Sequence, residues 1–164
     1  MALTIAQLQT LKTDITVTRA SVTYQGQTLL QWWTAGNDQA VADFYNQPVS
    51  PVVQLWRPSI ATSLLNECIV GAEFVALTIA KQNLWLVLTQ GDANATLART
   101  RQNFIEVFGA GSVSMANLTA AAQKVATYAE ALFSASGGTP GTGNVSAIFG
   151  VRLTGTDIAE SRGV

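Results

Sequence analysis

The sequence predicts a mainly α fold: a helical bundle-like domain with a small extended or β region and a tethered C-terminal β-strand arm. Three observations predict it. Apolar residues recur at spacings of three and four through most of the chain, one early stretch alternates with period two, and seven of the 13 glycines fall in the final 31 residues. With 164 residues, 48% of them apolar, the chain can bury one core of ordinary size. The expected organisation is a helical domain over 1–134, with its extended region at about 16–30. A Gly/Thr-rich tether over 135–144 and a strand arm over 145–164 follow.

The first helix is expected from Thr4 to Ile15, where Ile5, Leu8, Leu11 and Ile15 share a face and Thr4 can serve as N-cap. Residues 16–30 alternate around Gly26 as extended chain. Trp32 and Trp33 follow, then a turn at Gly36 whose Asn37 or Asp38 can cap a short helix through Tyr45. Pro48, Pro51 and Pro58 mark an extended crossing, since proline restricts both itself and the residue before it. The spacing then predicts helices over 59–69, 72–88 and about 96–108, the last stopped by Gly109. A final helix is expected over 114–133, with Met115, Leu118, Ala122, Val125, Ala129 and Leu132 along a narrow seam. Beyond the tether, residues 145–153 read as a strand and 156–159 as a short helical end. A lone strand needs a sheet to join, in this chain or in a neighbouring subunit.

Composition excludes much chemistry. There is no histidine, so no imidazole base or ligand, and the single cysteine rules out an intrachain disulfide framework. Charge is only 12%, with a net of −1, which supplies no long-range field for nucleic acid or anionic membrane. Thr, Ser, Gln and Asn together fill 49 of the 164 positions. The N-terminus carries neither the basic nor the apolar region of a signal peptide. The apolar run 69–88 is interrupted by Glu73 and Lys81, so it reads as a buried helix and no membrane partner is expected.

The motifs fare similarly. Gly138–Val145 has the spacing of a phosphate-binding loop, but Asn144 replaces its lysine and Val145 its hydroxyl residue. Cys68 reads as a buried structural thiol, and the oxygens of Asp92–Thr96 as helix capping rather than a calcium loop. Glu67 and Glu73, six apart, do not share a helix face. Arg99 and Arg101 are expected on a charged helix surface, able to pair with a glutamate or touch a phosphate. Catalytic residues, cofactors and metal ligands are each expected to be none. The positive signal is aromatic. Adjacent Trp32 and Trp33 cannot both face one core from a regular element, so at least one should meet another surface. The expected subunit interface is Trp32, Trp33 and Trp56 together with Ile148, Phe149, Val151, Arg152 and Leu153 of the arm.

Several stretches carry a resemblance. Phe44–Asn46, Leu55–Ile60, Glu73–Phe74, Trp85–Leu88, Arg101–Phe108 and Ala126–Phe133, with the closing tether and strand, resemble small proteins encoded among the structural genes of tailed bacteriophages. The similarity covers roughly residues 44–160. It implies a virion component, assembled in the host cytoplasm, and the absence of histidine, of a metal cluster and of an intact phosphate loop argues for a non-enzymatic one. Combined with the low charge and the aromatic signal, it leads to a homo-oligomeric neck ring, a head–tail connector joining portal and tail proteins. DNA would pass through non-specifically. The alternatives are a capsid-decorating protein, a tail-tip or baseplate protein and, from another class, a small phage enzyme.

Overall fold

A computed structural model describes residues 2–136 and 143–164. Its helices, in chain order, are α1 (Ile5–Thr13), α2 (Leu29–Thr34), α3 (Asp38–Tyr45), α4 (Thr62–Glu67), α5 (Gly71–Val75), α6 (Ile79–Leu88), α7 (Ala98–Phe108), α8 (Val113–Ala122), α9 (Tyr128–Leu132) and α10 (Gly155–Arg162). The strands are β1 (Thr23–Tyr24), β2 (Gln27–Thr28), β3 (Gln54–Trp56), β4 (Gln123–Val125), β5 (Ser134–Ser136) and β6 (Asn144–Ser146). The chain is therefore mainly helical, with two small sheets among the described residues, as the periodicity predicts. Instead of one domain followed by an arm, it forms two compact units. Unit 1 comprises Met1–Val52, Ala126–Ser134 and Ser146–Val164; unit 2 comprises Val53–Val125 and Ala135–Val145.

Unit 1 begins with a reciprocal cap. The Thr4 hydroxyl accepts from the Gln7 amide at 3.3 Å, while the Gln7 side chain accepts from the Thr4 N–H at 2.9 Å. The same device opens α2 with Thr28 and Gln31, α9 with Thr127 and Glu130, and α10 with Thr154 and Asp157. Leu8 and Leu11 of α1 are buried, and a π-helical turn, Asp14–Thr18, carries the stripe on to buried Ile15. The extended region predicted over 16–30 thus shrinks to the β1–β2 hairpin. Its turn residues, Gln25 and Gly26, both have positive φ (48° and 83°), as a tight hairpin requires.

The strand-arm reading is corrected. Only residues 144–146 of the C-terminal segment are strand, and 147–150 form a turn. Ile148, Leu153 and Ile158 lie in the unit 1 core with Leu11, Ile15, Val41 and Tyr45. Asn46 clamps the segment: its Nδ2 donates to the Leu153 carbonyl at 2.8 Å, and its Oδ1 accepts from the Leu153 N–H at 2.8 Å. α10 then packs on α1 and α3. Burying three large aliphatic side chains outweighs adding a strand to a remote sheet. The tether falls mainly on 137–142, outside the described residues, as does most of the phosphate-loop look-alike.

In unit 2, β3 pairs antiparallel with β4 (Leu55↔Lys124, Trp56↔Gln123) and parallel with β6 (Leu55↔Asn144), in a sheet of order β4-β3-β6-β5. Here the helix expected over 114–133 is broken. Its middle residues become β4 because β3 offers them an unpaired backbone edge, a tertiary partner that outweighs helical propensity. The helix expected over 72–88 also divides, into α5 and α6, where Thr78 caps a new start by accepting from the Lys81 N–H at 3.4 Å. No helix among the described residues is long and apolar enough to cross a membrane. The core gathers Trp56, Ile60, Leu65, Cys68, Trp85, Phe104, Val107, Phe108, Met115 and Leu118. Trp85 packs edge-on against Phe108 at 5.1 Å.

Candidate functional site

The residues expected to meet a neighbour lie mostly inward. Trp56 is 2% exposed, and Ile148 and Leu153 are equally enclosed, so these three contact their own chain. Trp32 and Trp33, each half-buried, pack against the same unit 1 core. Trp32 donates from Nε1 to the Tyr24 carbonyl at 2.9 Å. Trp33 lies under the Arg162 guanidinium, 4.8 Å from its ring centroid, and Arg162 pairs with Asp38 at 2.5 Å. Two adjacent tryptophans can share one core because α10, unforeseen at its full length, encloses Trp33 from a second side. Val151 and Phe149 are partly buried, and of the eight only Arg152 is exposed.

Two polar constellations are interior braces. In unit 1, buried Asp14 accepts from the Tyr45 hydroxyl at 2.5 Å and is ion-paired with Arg19. Arg19 in turn lies 5.4 Å from the Tyr128 ring centroid, and Tyr128 stacks on Phe44. Burial, reinforced by the Asp14 carboxylate, pushes the Tyr45 phenol far above its ordinary value, so it remains a donor. A groove of about 470 Å³ beside this cluster is lined by Gln9, Thr10, Thr13, Thr18 and Leu132. Asp14 was missed in the sequence, although its i+3 spacing from Leu11 places it on the buried stripe.

In unit 2, Arg101 is buried, contrary to the surface role expected for it. Its Nη1 donates to the carbonyls of Ala95 and Thr96 at 2.6 and 2.9 Å, and its guanidinium lies 4.9 Å from the Trp56 ring centroid. Its spacing from Phe104 and Phe108 put it on the apolar face of α7 all along. Arg99 is exposed. A cavity of about 190 Å³, lined by Trp56, Arg101, Phe104, Met115, Leu118 and Ala122, adjoins this brace.

The groups weighed as reactive are likewise engaged. Burial raises the Cys68 thiol above its ordinary value, with the Glu67 charge adding to it, so the thiolate is disfavoured. Glu73 accepts from the Val113 and Ser114 amides at 2.9 and 2.8 Å, capping α8 from a distance. Hydrogen bonding by the Ser114 side chain, followed by the Ser114 and Val113 amides, holds its carboxyl below the usual range. Asp92 accepts from the Ser59 hydroxyl at 2.7 Å, and Asn94 from the Thr96 amide at 2.9 Å, so that segment is a turn and not the cap of α7. Among the described residues no group of three His, Cys, Asp or Glu side chains could hold a metal ion.

What the surface offers is apolar. Unit 1 exposes Ile5, Val17 and Val52. On unit 2, Val75, Ile79, Leu86 and Val87 are 78%, 76%, 59% and 62% exposed. α6 buries a single residue, Trp85, although nine of its ten residues are uncharged and six are large apolar. Compared with known family models, curated proteins and solved structures, the chain matches none.

Proposed function

We propose that this chain is a non-enzymatic structural subunit of a tailed-phage particle, placed in a neck ring between portal and tail. One observation supports the reading above the others: each of the two units exposes large apolar side chains, Ile5 and Val17 on one and Val75, Ile79, Leu86 and Val87 on the other. Apolar surface left open in this way favours coverage by neighbours, and a ring subunit needs contacts on more than one side. The resemblance of residues 44–160 to phage structural proteins points the same way. With a net charge of −1 the subunit would hold DNA weakly, so that a lumen built from it lets DNA slide. The contact surface in this reading is not the set of tryptophans and arm residues expected from the sequence, because most of those are enclosed in their own chain.

Immunogold electron microscopy of purified particles, with antibody against this chain, tests the proposal. Label confined to the head–tail junction is expected. Label over the capsid or the distal tail would move the protein to a decorating or baseplate station, and no label with abundant protein in the lysate would overturn the virion role.

A further inference from the structure

The exposed face of α6 has a symmetry of its own. At 100° per residue, Ile79, Asn83 and Leu86 fall within about 60° of one another, on one side of the helix, with buried Trp85 on the flank beyond Leu86. Their spacing, four and then three, is the seam by which two helices pack. Asn83, in the middle, is exposed and carries both amide donors and an acceptor. The seam is uncharged throughout. Beside Leu86 runs a groove of about 270 Å³, lined by Asn66, Ile69, Gly71, Phe74, Trp85 and Leu86.

We propose that this face is a contact between two copies of the chain, made by antiparallel pairing of α6 about a twofold axis at Asn83. In that arrangement Ile79 of one copy meets Leu86 of the other and projects toward the groove beside it, and the reverse contact follows by symmetry. The two Asn83 amides face each other, where each can donate to and accept from its mate. A polar pair at the centre of an apolar seam sets register.

The occupant is argued from three features. The absence of charge disfavours a nucleic acid, an acidic peptide or an anionic membrane, each of which selects basic side chains. A projecting isoleucine on the seam and a groove flanking it beside Leu86 are complementary to each other. With Val75 and Val87 included, two copies would bury on the order of 1,000 Å², the lower bound for a specific contact. The pairing does not depend on the virion reading. A twofold contact of this kind is separate from the head-to-tail contacts that close a ring.

Sedimentation velocity on the full chain, with cysteine cross-linking, tests the proposal. The wild-type chain is expected to dimerise, and Leu86→Lys to weaken the dimer by about tenfold or more. Asn83→Cys is expected to form a disulfide-linked dimer under mild oxidation, since a residue on a twofold axis meets itself. Buried Cys68 should leave the wild type uncross-linked. Larger assemblies whose Asn83→Cys copies link only in twos also support the pairing. A wild-type chain that remains monomeric to about 100 μM would overturn it. So would a dimer indifferent to Leu86→Lys, an Asn83→Cys variant that dimerises without cross-linking, or a monomer that instead floats with neutral phosphatidylcholine vesicles.

Discussion

Gly143 shows how little room a single residue has in unit 2. A Cβ there would stand 2.7 Å from Trp56 Nε1, 2.9 Å from Trp56 Cε2 and 2.8 Å from Gln123 Nε2. The end of Gln123 can swing aside, but Trp56 is enclosed and braced under Arg101. Gly143→Ala should therefore cost about 1–3 kcal/mol, read as a lower midpoint in guanidinium unfolding followed by tryptophan fluorescence. An unchanged midpoint would mean that Trp56 moves freely. Glu73 is a second single-residue determinant. Its carboxyl is depressed in the folded state, so its contribution is present above the ordinary glutamate value and is lost as pH falls through the lower, folded one. Glu73→Gln should reduce stability at neutral pH and flatten the pH dependence of the melting temperature in the acid range. Parallel profiles for the two proteins would refute that role.

At the scale of elements, the helices are held by their ends as much as by their faces. Four of them open on a threonine whose partner three residues on returns the hydrogen bond, a motif worth about 1 kcal/mol per cap. Other threonines, such as Thr10, Thr13 and Thr16, donate to the carbonyl four residues back. Much of the uncharged polar composition is thus used within the chain rather than at an interface, which weakens an assembly argument from composition alone. The C-terminal segment is the element whose role changes most. Because Ile148, Leu153 and Ile158 are core and Asn46 clamps Leu153, deleting residues 146–164 should unfold unit 1. Loss of its cooperative melting is the expected result. A truncated chain with intact circular dichroism and melting would restore the reading of a dispensable arm.

For the whole molecule, the two units are each sewn from separated stretches, so neither corresponds to a continuous length of sequence. Both cores close on themselves, yet apolar side chains remain outside on each. That surplus is what an assembly subunit needs, and it is the basis of the proposed ring and of the proposed α6 pair. The immunogold and cross-linking experiments address location and contact separately. Loss of one result leaves the other standing.

The helical class, the caps at Thr4 and Asn37, the stop at Gly109 and the structural character of Cys68 were legible in the sequence. Each depends on neighbours three or four residues away, within reach of a periodicity or a cap. Even Asp14 and Arg101 could have been placed on buried stripes by their spacing. What only the tertiary structure decided involves partners distant in the chain. Residues 123–125 are strand because β3 lies beside them, Glu73 caps α8 because that helix starts beside α5, and Trp33 is covered because α10 returns across it. The candidate site followed the same division. Local pattern marks which residues are apolar, but whether Trp56 is enclosed and Ile79 is exposed depends on what long-range packing brings against each, and no local window contains that information.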